Sequence, residues 1–383
     1  MRPQEIYALA LILFMALYGT IILVFTAGLI VLKKRKRSRL LLPAWFVSVI
    51  IPVRNEESNI LRILEEIRGQ NFPVKRMEVI VTDDFSEDAT LDLANRFAQE
   101  HPGFPLKLVY PSHTDPGNPG KKKAIERAVL KAQGEILLFT DADTIRGSRW
   151  ISSMVSCFRA PIIQMVMGPV YFNHKKNLLQ KIQSLEFMGL MGTTAGSAAL
   201  GYPVMCNGAN LAYKHATFLQ TGGFRGNQRY GSGDDQFMMS AIRKIYGKDS
   251  VMFNLDKRSE VGTEAEATLA GFFQQRIRWV SKSRGYRDPV VLAVGIITYV
   301  THLLLLSGIL LGFLIPMLLS LSLLLWVAKI LVEYPMVWLM SRFFGKHRLT
   351  GYYLPAQIFQ LVYVPLAGML GLFLPYRWKG RKG

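Results

Sequence analysis

Residues 46–53 read FVSVIIPV, a continuous apolar run rich in β-branched side chains. Such a run is typical of a strand that is buried on both faces, as in a parallel sheet. Two more apolar runs follow, EVIVT at residues 78–82 and EILLFT at residues 135–140. A shorter one at residues 106–110 lies between them. The sequence therefore predicts a sheet built on these four strands.

Helical patterns separate the predicted strands. Apolar residues recur at helical spacing over residues 57–69, and helices are also predicted over residues 88–100 and 121–132. A loop rich in Pro, Gly and Asn occupies residues 111–120. Strands that alternate with helices indicate an α/β fold, with a mostly parallel sheet covered by helices on both faces. In such Rossmann-like folds, ligands bind beyond the carboxyl ends of the strands.

The charged residues are segregated along the chain. It has 383 residues, a formal net charge of +19 and a hydrophobic content of 50%. Residues 6–32 and 349–376 contain no charged residue, and residues 289–328 contain no Asp, Glu, Lys or Arg. A helix needs about 20 apolar residues to cross a bilayer core. The chain is therefore expected to be an integral membrane protein with a large water-soluble part, and its composition excludes the disordered and fibrous classes.

Residues 6–32 are expected to form an N-terminal anchor. The run is too long for a signal-peptide core and lacks a small-x-small cleavage site. A basic cluster follows it immediately: Lys33, Lys34, Arg35, Lys36, Arg37 and Arg39. By the positive-inside rule this cluster and residues 33–288 lie in the cytoplasm, and the membrane is expected to be the cell (inner) membrane. A nucleic-acid patch is the alternative, but a basic cluster that abuts an apolar run is more typical of a topology signal, so no nucleic-acid partner is predicted.

The C-terminal membrane region is predicted over residues 289–383. Its first 40 residues would make about 60 Å of helix, enough for two crossings of a core of about 30 Å. The second crossing is expected to continue beyond Lys329 and Glu333, with Pro335 as a candidate kink. Three prolines in residues 349–376 favour a re-entrant or interfacial segment that leaves the basic tail inside, and a single crossing is the alternative.

Paired carboxylates follow two of the predicted strands. Asp83-Asp84 ends the strand at residues 78–82, and Asp141-Ala142-Asp143 ends the strand at residues 135–140. Several carboxylates at one sheet edge are costly unless a cation neutralises them. Mg²⁺ or Mn²⁺ does so with one or two carboxylates plus phosphate oxygens of the substrate. Asp also ends strands and caps helices, which would explain either motif alone better than both together.

Four further segments carry candidate site residues. Gly120-Lys121 begins a helix and would make a phosphate seat, although a solvated basic face is the alternative. Asp234-Asp235 follows the glycine-flanked stretch Gly231-Ser232-Gly233, where an Asp that caps a helix is the alternative. Residues 266–284 predict an amphipathic interfacial helix with Trp279 at the headgroup level. Cys206, next to Asn207, is a candidate for lining an acceptor site.

These motifs occur in an order that resembles a known family. The chain is similar to the family 2 glycosyltransferases with the GT-A fold, particularly the membrane-bound branch of cellulose, hyaluronan, chitin and poly-N-acetylglucosamine synthases and ceramide glucosyltransferase. The resemblance covers about residues 46–285. Each motif alone is weak, and their order and spacing carry the resemblance: Pro52-Val53-Arg54-Asn55-Glu56, Asp83-Asp84 with Ser86, Gly120-Lys121, Asp141-Ala142-Asp143, Asn207-Gly208-Ala209-Asn210, Gly222-Gly223-Phe224, Asp234-Asp235 and Gln275-x-x-Arg278-Trp279.

The resemblance implies a donor site for a UDP-sugar and a site for Mn²⁺ or Mg²⁺. Asp143 would bind the metal, and Asp141 would contact the metal, the ribose or the donor sugar. The residues implied in nucleotide binding are Pro52, Glu56, Asp83, Asp84, Lys121, Asp141 and, at the diphosphate, Arg278.

The resemblance also implies an acceptor site and a catalytic base. Asp235 would be the base, with Asp234 beside it in a Gly-Asp-Asp loop where many synthases have Thr-Glu-Asp. The implied acceptor residues are Asn207, Gly208, Gln275 and Trp279. A carboxylate base opposite a metal-bound diphosphate leaving group would give a single displacement with inversion.

The function predicted from the sequence is sugar transfer from a UDP-sugar to a membrane lipid or lipid-linked acceptor at the cytoplasmic face. The alternative is a processive polysaccharide synthase, which would need a homo-oligomer or a channel partner because the predicted spans are few. A non-catalytic membrane scaffold and a dinucleotide-binding oxidoreductase are the readings outside this class. The oxidoreductase is disfavoured because no Gly-x-Gly-x-x-Gly turn follows the first strand.

Overall fold

The computed structural model describes residues 1–35, 44–111, 120–173, 177–227, 233–375, 377–378 and 381–382. Part of the basic cluster (Lys36, Arg37 and Arg39), most of the 111–120 loop, and Gly231 and Ser232 lie outside the described residues.

A mostly parallel sheet of seven strands forms the centre of the α/β part, in the order β3-β2-β1-β4-β8-β6-β9. β8 runs antiparallel to both of its neighbours, and the other pairs are parallel. A second sheet has the order β5-β10-β7. The strand bounds are β1 Val47–Val53, β2 Met77–Asp83, β3 Leu106–Val109, β4 Ile136–Phe139, β5 Ile145–Arg146, β6 Met165–Met167, β7 Val170–Asn173, β8 Leu211–Lys214, β9 Val251–Phe253 and β10 Val261–Glu264, with two short C-terminal strands, β11 Arg377–Trp378 and β12 Arg381–Lys382.

Twelve α-helices are found among the described residues. Their bounds are α1 Pro3–Lys34, α2 Ile60–Arg68, α3 Thr90–Glu100, α4 Lys121–Lys131, α5 Trp150–Val155, α6 Leu178–Ala199, α7 His215–Gln220, α8 Asp234–Tyr246, α9 Leu269–Ser281, α10 Pro289–Gly312, α11 Pro316–Phe343 and α12 Tyr353–Phe373.

The predicted elements of the first half are confirmed. The four predicted strands correspond to β1 to β4, and the three predicted helices correspond to α2, α3 and α4. β1 is buried along almost its whole length, as its apolar run predicts. The helix predicted over residues 266–284 is shorter and covers α9, followed by one 3₁₀ turn at Lys282–Gly285. The ends differ by a few residues because caps and turns, rather than hydrophobic pattern, decide where an element stops.

Four helical segments are long and apolar enough to cross a membrane: α1, α10, α11 and the segment His347–Phe373 that contains α12. The 40-residue uncharged stretch forms α10 and the first part of α11, as predicted, and α11 continues past Lys329, Glu333 and Pro335. The direction of each crossing and the re-entrant arrangement of the last segment remain predictions.

The apolar helix α6 joins the α/β part to these helices. It packs closely on α1, where a side chain at Gly196 would come within 2.0 Å of the Phe25 carbonyl oxygen. One turn earlier on the same helix, a side chain at Gly192 would meet Met336 of α11. The interfacial candidate α9 packs along α12, with the Phe272 ring 5.1 Å from Phe359 and the Val280 side chain against Gly371. The motif-bearing helix α9 therefore rests on the helical bundle.

Candidate active site

The loops after β1 and β2 form the first wall of the site. The Asp84 N–H donates to the Val53 carbonyl over 2.9 Å, and the Arg54 guanidinium donates to the carbonyl oxygens of Asp84 and Phe85, both over 2.8 Å. Asn55 and Phe85 adopt positive φ angles of 52° and 60°. A left-handed backbone conformation is costly at non-glycine residues. The contacts around these two loops therefore hold Asn55 and Phe85 in this conformation.

One large cavity, of about 1100 Å³, lies beside these loops. It brings together every predicted site residue except Asp83: Pro52, Glu56, Asp84, Lys121, Asp141, Asp143, Asn207, Gly208, Asp234, Asp235, Gln275, Arg278 and Trp279. Asp83 is 1% exposed, and its carboxylate accepts from the Ser86 N–H over 3.1 Å. Asp83 thus shapes the turn, and its contact with a nucleotide remains a prediction.

Lys121 connects two of the predicted carboxylate groups. It is the first residue of α4, and its Nζ lies 2.6 Å from Asp141 Oδ1 and 4.0 Å from Asp234 Oδ2. Burial alone would lower the pKa of Lys121, but the carboxylates of Asp141 and Asp234 outweigh it and raise that pKa above its ordinary value. Burial and the neighbouring Asp235 raise the pKa of Asp234, and Lys121 opposes them. Lys121 therefore stays protonated among these acids.

Asp235 lies in the first turn of α8, after Gly233, which has a positive φ of 87°. Its Oδ2 accepts from the Gly208 N–H over 3.1 Å, and its Oδ1 accepts from the Gln236 N–H over 2.8 Å. The predicted base therefore touches Gly208, a predicted acceptor residue, and both belong to one hydrogen-bonded group.

Lys282 is a site residue that the sequence reasoning missed. Its Nζ lies 3.6 Å from Asp235 Oδ1, and it lines the same cavity. Burial would lower the pKa of Lys282, but the Asp235 carboxylate outweighs burial and raises it. The available signal was its position four residues after Arg278, which places both cations on one side of a helical turn.

A second group missed from the sequence lies under the Gln-x-x-Arg-Trp motif. Arg276 is 4% exposed, its Nη2 lies 2.5 Å from Glu186 Oε2 of α6, and its guanidinium lies 4.3 Å from the Trp279 ring centroid. The Tyr363 hydroxyl of α12 donates to the same Glu186. This ion pair fixes α9 to α6 and α12 and so orients Trp279. The sequence signal was an acidic residue in a helix that is mostly apolar after its first turns.

The cavity has two halves of different chemistry. The sheet-edge half contains the carboxylates and lysines described above. The bundle half is formed by α1, α6, α10, α11 and α12, with the lining residues Ile22, Phe25, Leu190, Val291, Met336 and Ala356 among others. A single cavity thus runs from a charged sheet edge into a mainly apolar space between helices.

The residues at the sheet edge fit a divalent cation whose ligands come partly from the protein and partly from the substrate. Among the described residues, no group of three or more His, Cys, Asp or Glu side chains is placed to hold a metal by itself. Asp141 and Asp143 both line the cavity and offer carboxylate oxygens. Two carboxylates completed by phosphate oxygens are the usual ligand set of Mg²⁺ or Mn²⁺ at nucleotides.

Comparison with known proteins gives the family. The sequence model described as "Glycosyl transferase family 21" matches residues 8–378, which is nearly the whole chain. The protein belongs to glycosyl transferase family 21. The glycosyltransferase resemblance drawn from the motifs is therefore confirmed, and the family that matches is numbered 21, whereas the family 2 branch remains a resemblance.

Curated relatives of this family 21 glycosyltransferase are also glycosyltransferases. The glycosyltransferase AglE of Haloferax volcanii is 30% identical over 129 residues, which are 34% of this chain and 40% of that protein. An N-acetylglucosaminyltransferase of Rhizobium meliloti is 26% identical over 262 residues, 64% of this chain and 57% of that protein. The matched part therefore spans about half of these relatives.

A solved structure shares the architecture of the glycosyltransferase. The mannosyltransferase PcManGT from Pyrobaculum calidifontis, in complex with GDP-Man and Mn²⁺, superposes with a TM-score of 0.57 and 18% sequence identity. The match covers 93% of this chain and 99% of that chain. The predicted α/β GT-A fold is thereby confirmed.

Proposed function

We propose that this glycosyltransferase moves a sugar from a UDP-sugar to a hydroxyl group of a membrane lipid or lipid-linked acceptor, with inversion at the anomeric carbon. One observation carries the proposal: the carboxylates Asp141, Asp143 and Asp235 share one cavity with the apolar walls of the helical bundle. A nucleotide diphosphate suits the charged sheet edge, and a hydrocarbon chain suits the bundle half.

The donor would lie at the sheet edge, against the loops after β1, β2 and β4. Glu56 and Asp84 would face its nucleoside, and Lys121 and Arg278 would neutralise its diphosphate. Asp143, with Asp141, would hold Mn²⁺ or Mg²⁺, and the bound ion would neutralise charge that develops on the leaving diphosphate. The metal-bound neighbour PcManGT supports a divalent cation in a fold of this kind. PcManGT was solved with GDP-Man, so GDP-mannose is tested below beside the UDP-sugars.

Asp235 would act on the acceptor. Its carboxylate would accept the proton of the acceptor hydroxyl as that oxygen attacks the anomeric carbon. Gly208 and Lys282 already contact this carboxylate, so its oxygens are held in place before substrate binds. Gln275 and Trp279 would border the entry of the acceptor from the bundle half, and Asn207 would lie beside it.

The proposed arrangement in the cell follows from the charge pattern. Residues 1–32 would anchor the chain in the cell (inner) membrane, residues 33–288 would form the catalytic domain on the cytoplasmic side, and residues 289–383 would complete the membrane region. The basic residues after α1 support this orientation.

The proposal is tested with the full chain in lipid nanodiscs. Protein is incubated with Mn²⁺, host lipid extract and a panel of UDP-sugars plus GDP-mannose, and products are measured by mass spectrometry against an Asp235→Asn blank. A single added hexose or N-acetylhexosamine on a lipid is the expected result. A ladder of sugar increments would show a polysaccharide synthase and not a single-transfer enzyme. A lack of any transfer would favour a non-catalytic scaffold.

A further inference from the structure

A polar network lies inside the bundle half of the cavity, away from the sheet edge. It consists of Tyr18 of α1, Lys329 and Glu333 of α11, and Gln357 and Gln360 of α12, and it is called the bundle network below. The Lys329 and Glu333 side chains are only 1% and 10% exposed. All five residues belong to helical segments that are long and apolar enough to cross a membrane.

The ion pair of this network is saturated with hydrogen bonds. Lys329 Nζ lies 2.8 Å from Glu333 Oε1 and donates to the side-chain oxygens of Gln357 and Gln360 over 2.8 and 2.7 Å. The Gln357 amide donates to Glu333 Oε2 over 2.7 Å, and the Tyr18 hydroxyl donates to Glu333 Oε1. An ammonium group has three N–H donors, so Lys329 has none left for a ligand.

The network is part of the cavity wall. Tyr18, Glu333, Gln357 and Gln360 line the same cavity as Asp235. A buried ion pair is a poor way to stabilise a bundle, because apolar residues of similar volume do so equally well or better. Ionisable residues inside membrane segments instead mark places where a polar group is bound or moved.

Two polar atoms at the network have no partner among the residues that the structure describes. The first is the Gln360 amide nitrogen, since the only hydrogen bond of that side chain in the described chain is made by its oxygen. The second is Nε2 of His302, a fully buried residue whose ring meets Tyr18 edge-on with centroids 5.7 Å apart. His302 Nδ1 contacts the Thr298 carbonyl oxygen over 2.7 Å, and His302 is not among the residues that line the cavity, which leaves the Gln360 amide as the group that faces it.

We propose that the bundle network is a second recognition subsite for the acceptor. It binds a carbonyl or hydroxyl oxygen that the acceptor carries in its lipid part, at a distance from the reacting hydroxyl. The Gln360 amide nitrogen supplies the N–H donors. Lys329 holds the Gln360 side chain in place by donating to its Oε1. This inference rests on the proposed function and narrows the acceptor class to lipids with such an internal oxygen, as opposed to plain long-chain alcohols.

The decisive variant is Gln360→Glu. It keeps an oxygen for Lys329 and nearly the same shape, but it replaces the two amide N–H donors by an oxygen. Gln360→Met is the companion variant, which removes the polar group without adding charge. Val364→Leu, one turn further along the same cavity wall, is the matched control because it alters the wall without removing a polar atom.

The experiment uses the full chain in nanodiscs with Mn²⁺ and the active donor. Dioleoylglycerol, its ether analogue dioleylglycerol and oleyl alcohol are compared, each as a substrate and as a competitor of transfer to host lipids. Dioleoylglycerol offers ester carbonyls, the ether analogue lacks them, and oleyl alcohol has only its reacting hydroxyl.

We expect wild-type protein to prefer dioleoylglycerol over its ether analogue and over oleyl alcohol by about tenfold in kcat/KM or in inhibition, the scale of one buried hydrogen bond. Gln360→Glu and Gln360→Met remove this preference. Val364→Leu changes kcat/KM or inhibition by the same factor for all three lipids. Equal use of the three lipids by the wild type, or an unchanged preference in folded variants at Gln360, would overturn the subsite. A wild-type protein that glycosylates no lipid at all would overturn the proposed function, and the subsite with it.

Discussion

In each half of the cavity a carboxylate of the wall is paired with a lysine, in very different surroundings. In the sheet-edge half, Lys121 lies 2.6 Å from Asp141, and the two side chains are 21% and 33% exposed. In the bundle half, Lys329 lies 2.8 Å from Glu333, and the two side chains are 1% and 10% exposed. The first pair is partly exposed, whereas the amide side chains of Gln357 and Gln360 complete the second.

The difference shows what each pair is suited for. When a metal or a diphosphate replaces one partner of a partly hydrated ion pair at the end of a strand, the protein loses little free energy of folding. When one partner of a dehydrated pair is removed, the protein loses about 3–5 kcal/mol of stability, because the other charge is left buried. The sheet-edge pair is therefore suited to exchanging partners during a reaction, and the bundle pair to holding fixed geometry.

The largest expected effect is on catalysis at the sheet edge. Asp235→Asn should lower kcat by about 10²–10⁴-fold, the contribution of a general base, and leave donor binding unchanged. Sugar transfer is measured by mass spectrometry and donor binding by calorimetry. Asp249→Asn, at an exposed acid outside the cavity, is the control. Near-normal transfer by folded Asp235→Asn would assign the base elsewhere.

Metal removal should have the next largest effect. We expect EDTA to lower transfer by about 10²-fold and Mn²⁺ or Mg²⁺ to restore it, because the ion offsets charge on the leaving diphosphate. Asp143→Asn should raise the Mn²⁺ concentration needed for half-maximal activity. Full activity in chelator would contradict a metal role for Asp143.

The contrast between the two ion pairs is tested by removing one partner of each. Glu333→Leu leaves Lys329 buried without its carboxylate and should cost about 3–5 kcal/mol of stability. Lys121→Met should cost less stability than Glu333→Leu, because Asp141 is one-third exposed and can be hydrated when its partner is lost, but it should lower transfer at least about tenfold, since the proposed role of Lys121 is with the donor. Thermal unfolding in detergent and transfer assays are run on both variants. The contrast fails if Lys121→Met unfolds as easily as Glu333→Leu.

The smallest expected effect concerns Lys122, the neighbour of Lys121. It is 6% exposed, and burial lowers its pKa to about 8 from the ordinary value of 10.5. Between these two values the unfolded chain binds more protons than the folded one, so wild-type stability rises with pH there. Below pH 8 both states are protonated, and the folded protein carries the full cost of the buried charge.

Lys122→Met should therefore raise Tm by about 2 °C at pH 7, with a gain that shrinks as the pH rises toward 10.5. Thermal unfolding at pH 7 and pH 10 measures the difference, with Lys123→Met as the control. A gain that is equal at both pH values would show that Lys122 acts through packing and not through its charge.

Much of the sheet edge was predictable from the sequence. The runs that became β1, β2 and β4 have apolar centres and are buried at nearly every position, because both faces of these strands are covered. The polar residues that follow them must then lie at one edge, and that rule located Asp84, Asp141 and Asp143. Local patterns suffice here because a strand and the turn after it are adjacent in the chain.

The bundle half was not predictable in the same way. Glu186 and Arg276 are 90 residues apart in sequence, and Tyr18 and Glu333 are 315 apart, yet each pair is in contact. A lone acid in an apolar helix gives no indication of its partner, because helix packing decides which faces meet. Helix α6 was missed because it lies between strands of the α/β part, where a long helix that packs on the membrane segments was not expected.

The order of residues along the chain was enough to establish an α/β fold, apolar segments long enough for a membrane, and a set of carboxylates at one sheet edge, because each depends on neighbours in sequence. Which lysine faces which carboxylate depended on the folded chain, as did the junction of the charged edge with the apolar bundle in one cavity. Lys121 and Asp141 are only 20 residues apart, whereas Tyr18 and Glu333 are 315 apart, but in both cases the contact is fixed by tertiary packing that no local pattern encodes.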